Sequence, residues 1–131
     1  MRVLGRSRSL KIEVAADATG LTSRAGTVLL AGFCQRIGLT DLLCAALAPS
    51  RERASLHAPG RVLAGLAVMI ADGGRCVSDL VVLAGQGALF GAVASVSTAR
   101  RVMLSLGPVE LAAIRRARAS ARGRPEPRRR T

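Results

Sequence analysis

Hydrophobic positions change their period along this chain, and the changes mark out its elements. Over residues 10–16 (LKIEVAA), Leu10, Ile12, Val14 and Ala16 alternate with Lys11, Glu13 and Ala15. A period of two with β-branched members predicts a half-exposed strand. The turn-forming run 17–20 (DATG) leaves room for a short second strand over 21–23. Such a hairpin is marginal in water and needs helices or further strands behind it.

From Thr27 the period lengthens. Val28, Leu29, Phe33 and Ile37 recur near every 3.6 residues, which predicts a helix that Gly38 ends. Thr40 is the expected N-cap of the next helix, with Asp41 in its first turn, and Pro49 stops it just after Ala48. A polar, basic connection (50–58) follows. Pro59 then opens a helix whose apolar stripe is Val62, Leu63, Leu66, Met69 and Ile70, closed by Gly73-Gly74. Ser78 and Asp79 start a short helix through Leu83, Gly85-Gln86-Gly87 breaks it, and a turn covers 88–90. Ser97 or Thr98 caps another helix, with Val102 and Leu106 facing inward and Gly107-Pro108 ending it. The last helix runs from Val109 to about Arg122, carries Glu110 near its start and buries Leu111, Ile114 and the 117–121 stretch. The expected fold is mainly α, with five to seven short helices behind an N-terminal β-strand or hairpin. Residues 1–9 form a flexible basic N-terminus, 10–122 the helical region, and 123–131 (GRPEPRRRT) a disordered Arg-rich tail.

Composition narrows the function classes. The 131 residues suit one small domain, and a half-hydrophobic chain is not disordered throughout. Two Phe, no Tyr and no Trp leave almost nothing on which to stack a base or a sugar. The net charge is +12 with 19 Arg and one Lys, which draws the chain to polyanions, meaning nucleic acid or anionic lipid. That charge is uneven: residues 100–131 hold ten basic and two acidic side chains, while 25–99 hold five and four.

Cys34, Cys44 and Cys76 have no Cys-x-x-Cys spacing and His57 is the one histidine, so no tetrahedral zinc site is expected. They read as thiols on apolar helix faces. The basic N-terminus lacks the apolar run of a secretory signal, which points to the cytoplasm. Residues 80–99 carry no charge over a bilayer-spanning length, but Gly85, Gln86, Gly87, Gly91, Ser95, Ser97 and Thr98 interrupt them. A small membrane protein spanning 80–99 is therefore the weaker alternative.

The chemistry of the side chains points the same way. Asp72 and Asp79 flank Gly73-Gly74, yet helix capping accounts for both. His57 lies in a basic connection with no nucleophile elbow, and the Gly-rich 84–91 stretch lacks the Lys-Ser or Lys-Thr of a phosphate loop. No catalytic residue, metal ligand, cofactor or small-molecule substrate is indicated. Arg115, Arg118 and Arg122, by contrast, fall three and four residues apart on one helix face, and Arg124, Arg128, Arg129 and Arg130 continue the charge. Guanidinium groups suit bidentate phosphate contacts, and several of them give salt-sensitive, sequence-independent affinity.

Several strings together are similar to a known family. LKIEVAADATGLTSRAGTVLL (10–30), GFCQRIGLTDLL (32–43), PGRVLAGLAVMIADGGRC (59–76), then SDL, LFG, VAS and LAAIRRARASAR (to 122) resemble, in order, the N-terminal region of DDE-type insertion-sequence transposases of the actinobacterial group 1 type. The resemblance implies a helical region ahead of an RNase H-like core. That core's two Asp and one Glu hold two divalent metals for cutting and joining DNA ends. None of the eight acids here matches those positions. Departures are visible too: Gly73-Gly74-Arg75-Cys76 stands where the family has Gly-Gly-Asp-Cys, Val96 where it has an acid, and Arg100 where it has an aromatic residue.

The resemblance implies a truncated, degenerate transposase fragment without catalysis. Its expected partner is DNA, at insertion-sequence ends or non-specifically, contacted by Arg115, Arg116, Arg118 and Arg122 with Arg100 and Arg101 assisting. Pairing with an intact transposase as an inhibitor is the alternative.

Overall fold

The computed structural model describes residues 2–4, 11–13, 24–50 and 56–124. Two short strands, β1 (Arg2–Leu4) and β2 (Lys11–Glu13), pair antiparallel with Arg2 opposite Glu13, Val3 opposite Ile12 and Leu4 opposite Lys11. The alternation in 10–16 thus marks a strand, although its partner precedes it. The expected second strand over 21–23 lies outside the described residues, as does the tail from 125 onward.

Seven helices follow: α1 (Ala25–Arg36), α2 (Leu39–Ala46), α3 (Pro59–Ala71), α4 (Leu80–Ala84), α5 (Gly87–Phe90), α6 (Val96–Ser105) and α7 (Pro108–Arg122). Two 3₁₀ turns, Ala48–Ser50 and Val77–Asp79, close α2 and lead into α4. Helix α3 is the axis. Its Pro59 occupies the first turn, where a missing N–H costs nothing. Its end is a Schellman closure: Gly73, at φ 98°, donates to the Ile70 carbonyl, and Gly74 donates to the Met69 carbonyl.

Val62, Leu66, Val68 and Met69 of α3 form the core with Leu80 and Leu83 of α4, Ala94, and Ala99 and Val102 of α6. Ile70, expected in the stripe, is 63% exposed because α3 buries its Val68 side there instead. Likewise α1 buries only Val28, leaving Leu29 and Phe33 in solvent. On α7 the buried positions are Ala117 and Ala121; Leu111 is exposed, since the helix rests its small residues on α2.

Two caps differ from expectation. Gly38, not Thr40, precedes α2: its left-handed backbone (φ 74°) bends the chain after α1 within two residues and leaves Thr40 inside the first turn. Ser95, rather than Ser97 or Thr98, caps α6, its hydroxyl accepting from the Thr98 amide at 3.2 Å.

Helices α2 and α3 cross at Gly60, where the backbones approach so closely that a Cβ would collide with the Leu43 carbonyl carbon and the Cys44 nitrogen. A polar latch fastens α1 to the end of α3. Asp72 pairs with Arg24 and accepts a hydrogen bond from the Thr27 hydroxyl at 2.7 Å.

The uncharged 80–99 run is broken into α4, α5, a non-helical stretch and the first turn of α6, and its Leu80, Leu83, Ala94 and Ala99 are buried in the protein core. No single helix among the described residues is long and apolar enough to cross a membrane. The successive helices α1 and α2 reach that length and apolarity only together, bent by 59°.

Candidate nucleic-acid interface

The longest helix carries the densest charge, and its sequence explains why it forms. Pro108 starts α7, and the Glu110 carboxylate accepts from the Gly107 amide at 2.9 Å, satisfying one of the orphan donors of the first turn. Alanine fills much of the interior, and Arg122 sits in the last turn against the negative end of the helix dipole. Ala117 and Ala121 face α2. The opposite side is therefore fixed: Arg115, Arg116, Arg118 and Arg122 are all exposed. At a rise of about 1.5 Å per residue, the row Arg115–Arg118–Arg122 runs for about 10 Å along one face.

Arg100 and Arg101 are also exposed, because Ala99 and Val102 on the other side of α6 enter the core. They belong to a different surface. Helix α6 packs on α3 and on the 77–79 turn, whereas α7 packs on α2. The six arginines named from sequence thus divide into four on α7, three of them in one row, and a separate pair on α6.

Three of the acids among the described residues are committed elsewhere. Asp72 belongs to the latch. The Asp79 carboxylate accepts from the Arg75 amide (2.8 Å) and the Cys76 amide (3.0 Å). Those bonds, Arg75 first, hold its pKa below the ordinary carboxylate range. Glu110 is lowered as well, by its own backbone amide and then that of Gly107. It also receives a hydrogen bond from the Ser50 hydroxyl at 3.2 Å, which ties the start of α7 to the end of α2.

A carboxylate with a depressed folded pKa stabilises the fold above its unfolded pKa, and that contribution is lost as pH falls through the folded value. The unfolding midpoint should hold steady from pH 7 to about 5 and drop below about pH 4. A double variant, Asp79→Asn with Glu110→Gln, should start lower at pH 7 and show a shallower acid limb. Unchanged acid sensitivity in thermal melts of this variant would contradict the assignment.

A cleft of about 870 Å³ lies among α1, α3 and the 87–94 segment, with Cys34, Asp41, His57 and Arg61 in its wall. Burial raises the Cys34 pKa, and a protonated thiol is a poor nucleophile. Among the described residues, no group of three or more His, Cys, Asp and Glu is placed to hold a metal ion.

Two further arginines that sequence spacing did not single out as a pair lie near the α1–α2 turn. Arg124 lies just beyond α7, exposed, with its guanidinium over Gly38; Arg36 is exposed in the last turn of α1. The signal for Arg124 was its place in the basic run; nothing in the sequence joined it to Arg36.

Across residues 4–123 the chain matches the family model described as transposase DDE domain group 1. This chain belongs to that family. No curated protein matches it, and no solved structure does. The match spans every helix described above, so the helical region itself is transposase sequence. Membership ties the transposase chain to transposition of insertion sequences and makes DNA its general class of partner. It does not say which side chains meet the DNA, and for that the disposition of the arginines on α7 is the guide.

Proposed function

We propose that this transposase segment binds duplex DNA through phosphate contacts made by Arg115, Arg116, Arg118 and Arg122 of α7, with Arg100 and Arg101 assisting from α6, and that it contributes binding and not strand chemistry. The observation that carries the reading is the amphipathic split of α7: alanines buried on α2, guanidinium groups all outward. Such a face meets phosphate oxygens without reading bases, which accords with a chain almost devoid of aromatic side chains. The non-catalytic part of the proposal is supported by the way Asp72, Asp79 and Glu110 are spent on the latch and on helix starts. Divergence from the family pattern is part of the same reading. Arg75, where the family has Asp, uses only its backbone amide locally and leaves its side chain in solvent, so the exchange disturbs no packing.

The test is a salt series on the purified chain, with insertion-sequence-end duplex and a scrambled duplex compared by fluorescence anisotropy. Four phosphate contacts from α7 predict a slope of log K on log salt near −3.6, steeper if the α6 pair engages. Parallel lines of that slope, with tighter binding to the ends, mean that recognition of the element resides here. Coincident lines mean a sequence-independent grip. A slope near zero on both duplexes would refute the proposal, and metal-dependent cleavage or joining of the ends by this chain would refute its non-catalytic part.

A further inference from the structure

The N-terminal hairpin has an edge whose residues are complementary to themselves. Among the described residues the sheet has two strands, so β2 has β1 on one side and no strand on the other. A strand at a sheet margin presents backbone N–H and C=O groups that a further strand can meet. A two-stranded hairpin is marginal in water, and three or more strands with an apolar face make a sheet that stands by itself. The residues of β2 are Lys11, Ile12 and Glu13, an apolar position between two opposite charges.

One pairing of this edge with another copy suits those residues. Laid antiparallel about Ile12, it sets Ile12 opposite Ile12, Lys11 opposite Glu13 and Glu13 opposite Lys11 of the second copy. Antiparallel pairing about Lys11 or about Glu13 opposes like charges, as does parallel pairing in register, and like charges directly opposite are destabilising. A slip of one residue puts Ile12 opposite a charged position and breaks up the apolar face. The register inside the hairpin continues across the join. Val3 stands opposite Ile12, so the four strands carry a β-branched row of Val3, Ile12, Ile12 and Val3. Arg2 stands opposite Glu13, so each Glu13 falls between Arg2 of its own copy and Lys11 of the other. The outer edge of β1 lacks this symmetry, since pairing about Val3 sets Arg2 opposite Leu4. Pairing β1 with β2 of another copy matches Arg2 to Glu13, but it is head-to-tail and leaves an open edge at each end, whereas β2 on β2 closes with two-fold symmetry.

From this self-complementary register we infer that the chain forms a two-fold dimer through β2, a four-stranded antiparallel sheet in the order β1-β2-β2-β1. The partner is a second copy of this chain, and the inference does not depend on the DNA-binding reading above.

The experiment is sedimentation velocity on the full chain without DNA, with Cys34, Cys44 and Cys76 kept reduced. Helicity is checked by far-ultraviolet circular dichroism. The parent should exchange between monomer and dimer as concentration changes. Lys11→Glu opposes like charges twice across the join and should raise the dimer dissociation constant by about ten-fold. Arg2→Glu with Glu13→Lys should do the same while keeping opposite charges paired inside each hairpin. Mixing the two variants again sets opposite charges against each other at both positions, and the mixture should form a dimer of near-parental affinity. A hairpin that had merely unfolded in either variant could not recover in this way.

A parent that stays monomeric up to hundreds of micromolar would overturn the inference. So would a dimer that neither variant weakens, or one that both weaken and mixing does not restore. Growth beyond the dimer would mean head-to-tail pairing of β1 with β2 and would overturn it too. None of these results bears on the arginines of α7.

Discussion

A Gly60→Ala variant is expected to lose a large part of the fold's stability, while Gly65→Ala, little more than one turn later on the same helix, is expected to gain some. The contrast isolates helix packing from helix propensity. At Gly60 an added Cβ would fall 2.6 Å from the Cα of Cys44, and closer still to the Leu43 carbonyl carbon and the Cys44 nitrogen. These are backbone atoms of α2, so no rotamer change relieves the overlap and the two helices must part. Overpacking of this kind costs about 1–3 kcal/mol. In a domain of this size each kcal/mol shifts the melting midpoint by about 4 °C, so a fall of about 4–12 °C is expected. Gly65 has nothing within 4 Å of the same added atom. There the higher helix propensity of alanine, about 1 kcal/mol, should raise the midpoint by a few degrees. Paired thermal melts decide it; a Gly60→Ala midpoint at or above that of the parent would mean that α2 and α3 are not in contact there.

The second large effect concerns DNA. A triple variant, Arg115→Gln, Arg118→Gln and Arg122→Gln, should keep its helicity, since all three side chains are exposed and the buried alanines remain. Each lost phosphate contact removes about 0.9 from the salt slope, so the slope should fall by about 2.7. At 0.1 M salt that corresponds to a loss of affinity of about 10²–10³-fold. The loss should be equal for insertion-sequence ends and scrambled duplex, because guanidinium–phosphate contacts position a protein without reading sequence. Loss confined to the end sequence would move the assignment from backbone contact to base readout. No loss on either duplex would remove α7 from the interface.

Much of this architecture was legible in the order of residues. Pro59 and Gly73-Gly74 bracket α3 within two residues of its observed limits, because proline in a first turn and glycine after a last one act locally. The break at 85–87 and the start of α7 at Pro108 were legible for the same reason. Non-local features were not. Periodicity placed Leu29 and Phe33 on one face of α1, but whether a neighbour covers that face depends on where α3 and α5 pass. Thr40 has the chemistry of a cap; Gly38 takes the place because the chain changes direction between α1 and α2 within two residues, through a positive φ at Gly38. The close crossing at Gly60 and the seating of Arg124 on Gly38 both require knowing which helices meet. The arginine row on α7 is a matter of spacing and could be read directly.

The latch between Arg24, Thr27 and Asp72 has a consequence for the order in which the molecule comes apart. Thr27 and Asp72 are 45 residues apart, so drawing them together closes a long loop, and the chain entropy spent on that closure is returned whenever the latch opens. Helix α1 buries a single residue, Val28, and touches α2, α3 and α5 less extensively than α2 and α3 touch each other. Helices α2 and α3 are locked backbone to backbone. Helix α1 is therefore expected to peel away first while the α2–α3 pair stays closed, which hydrogen exchange would show as earlier loss of protection in residues 25–36.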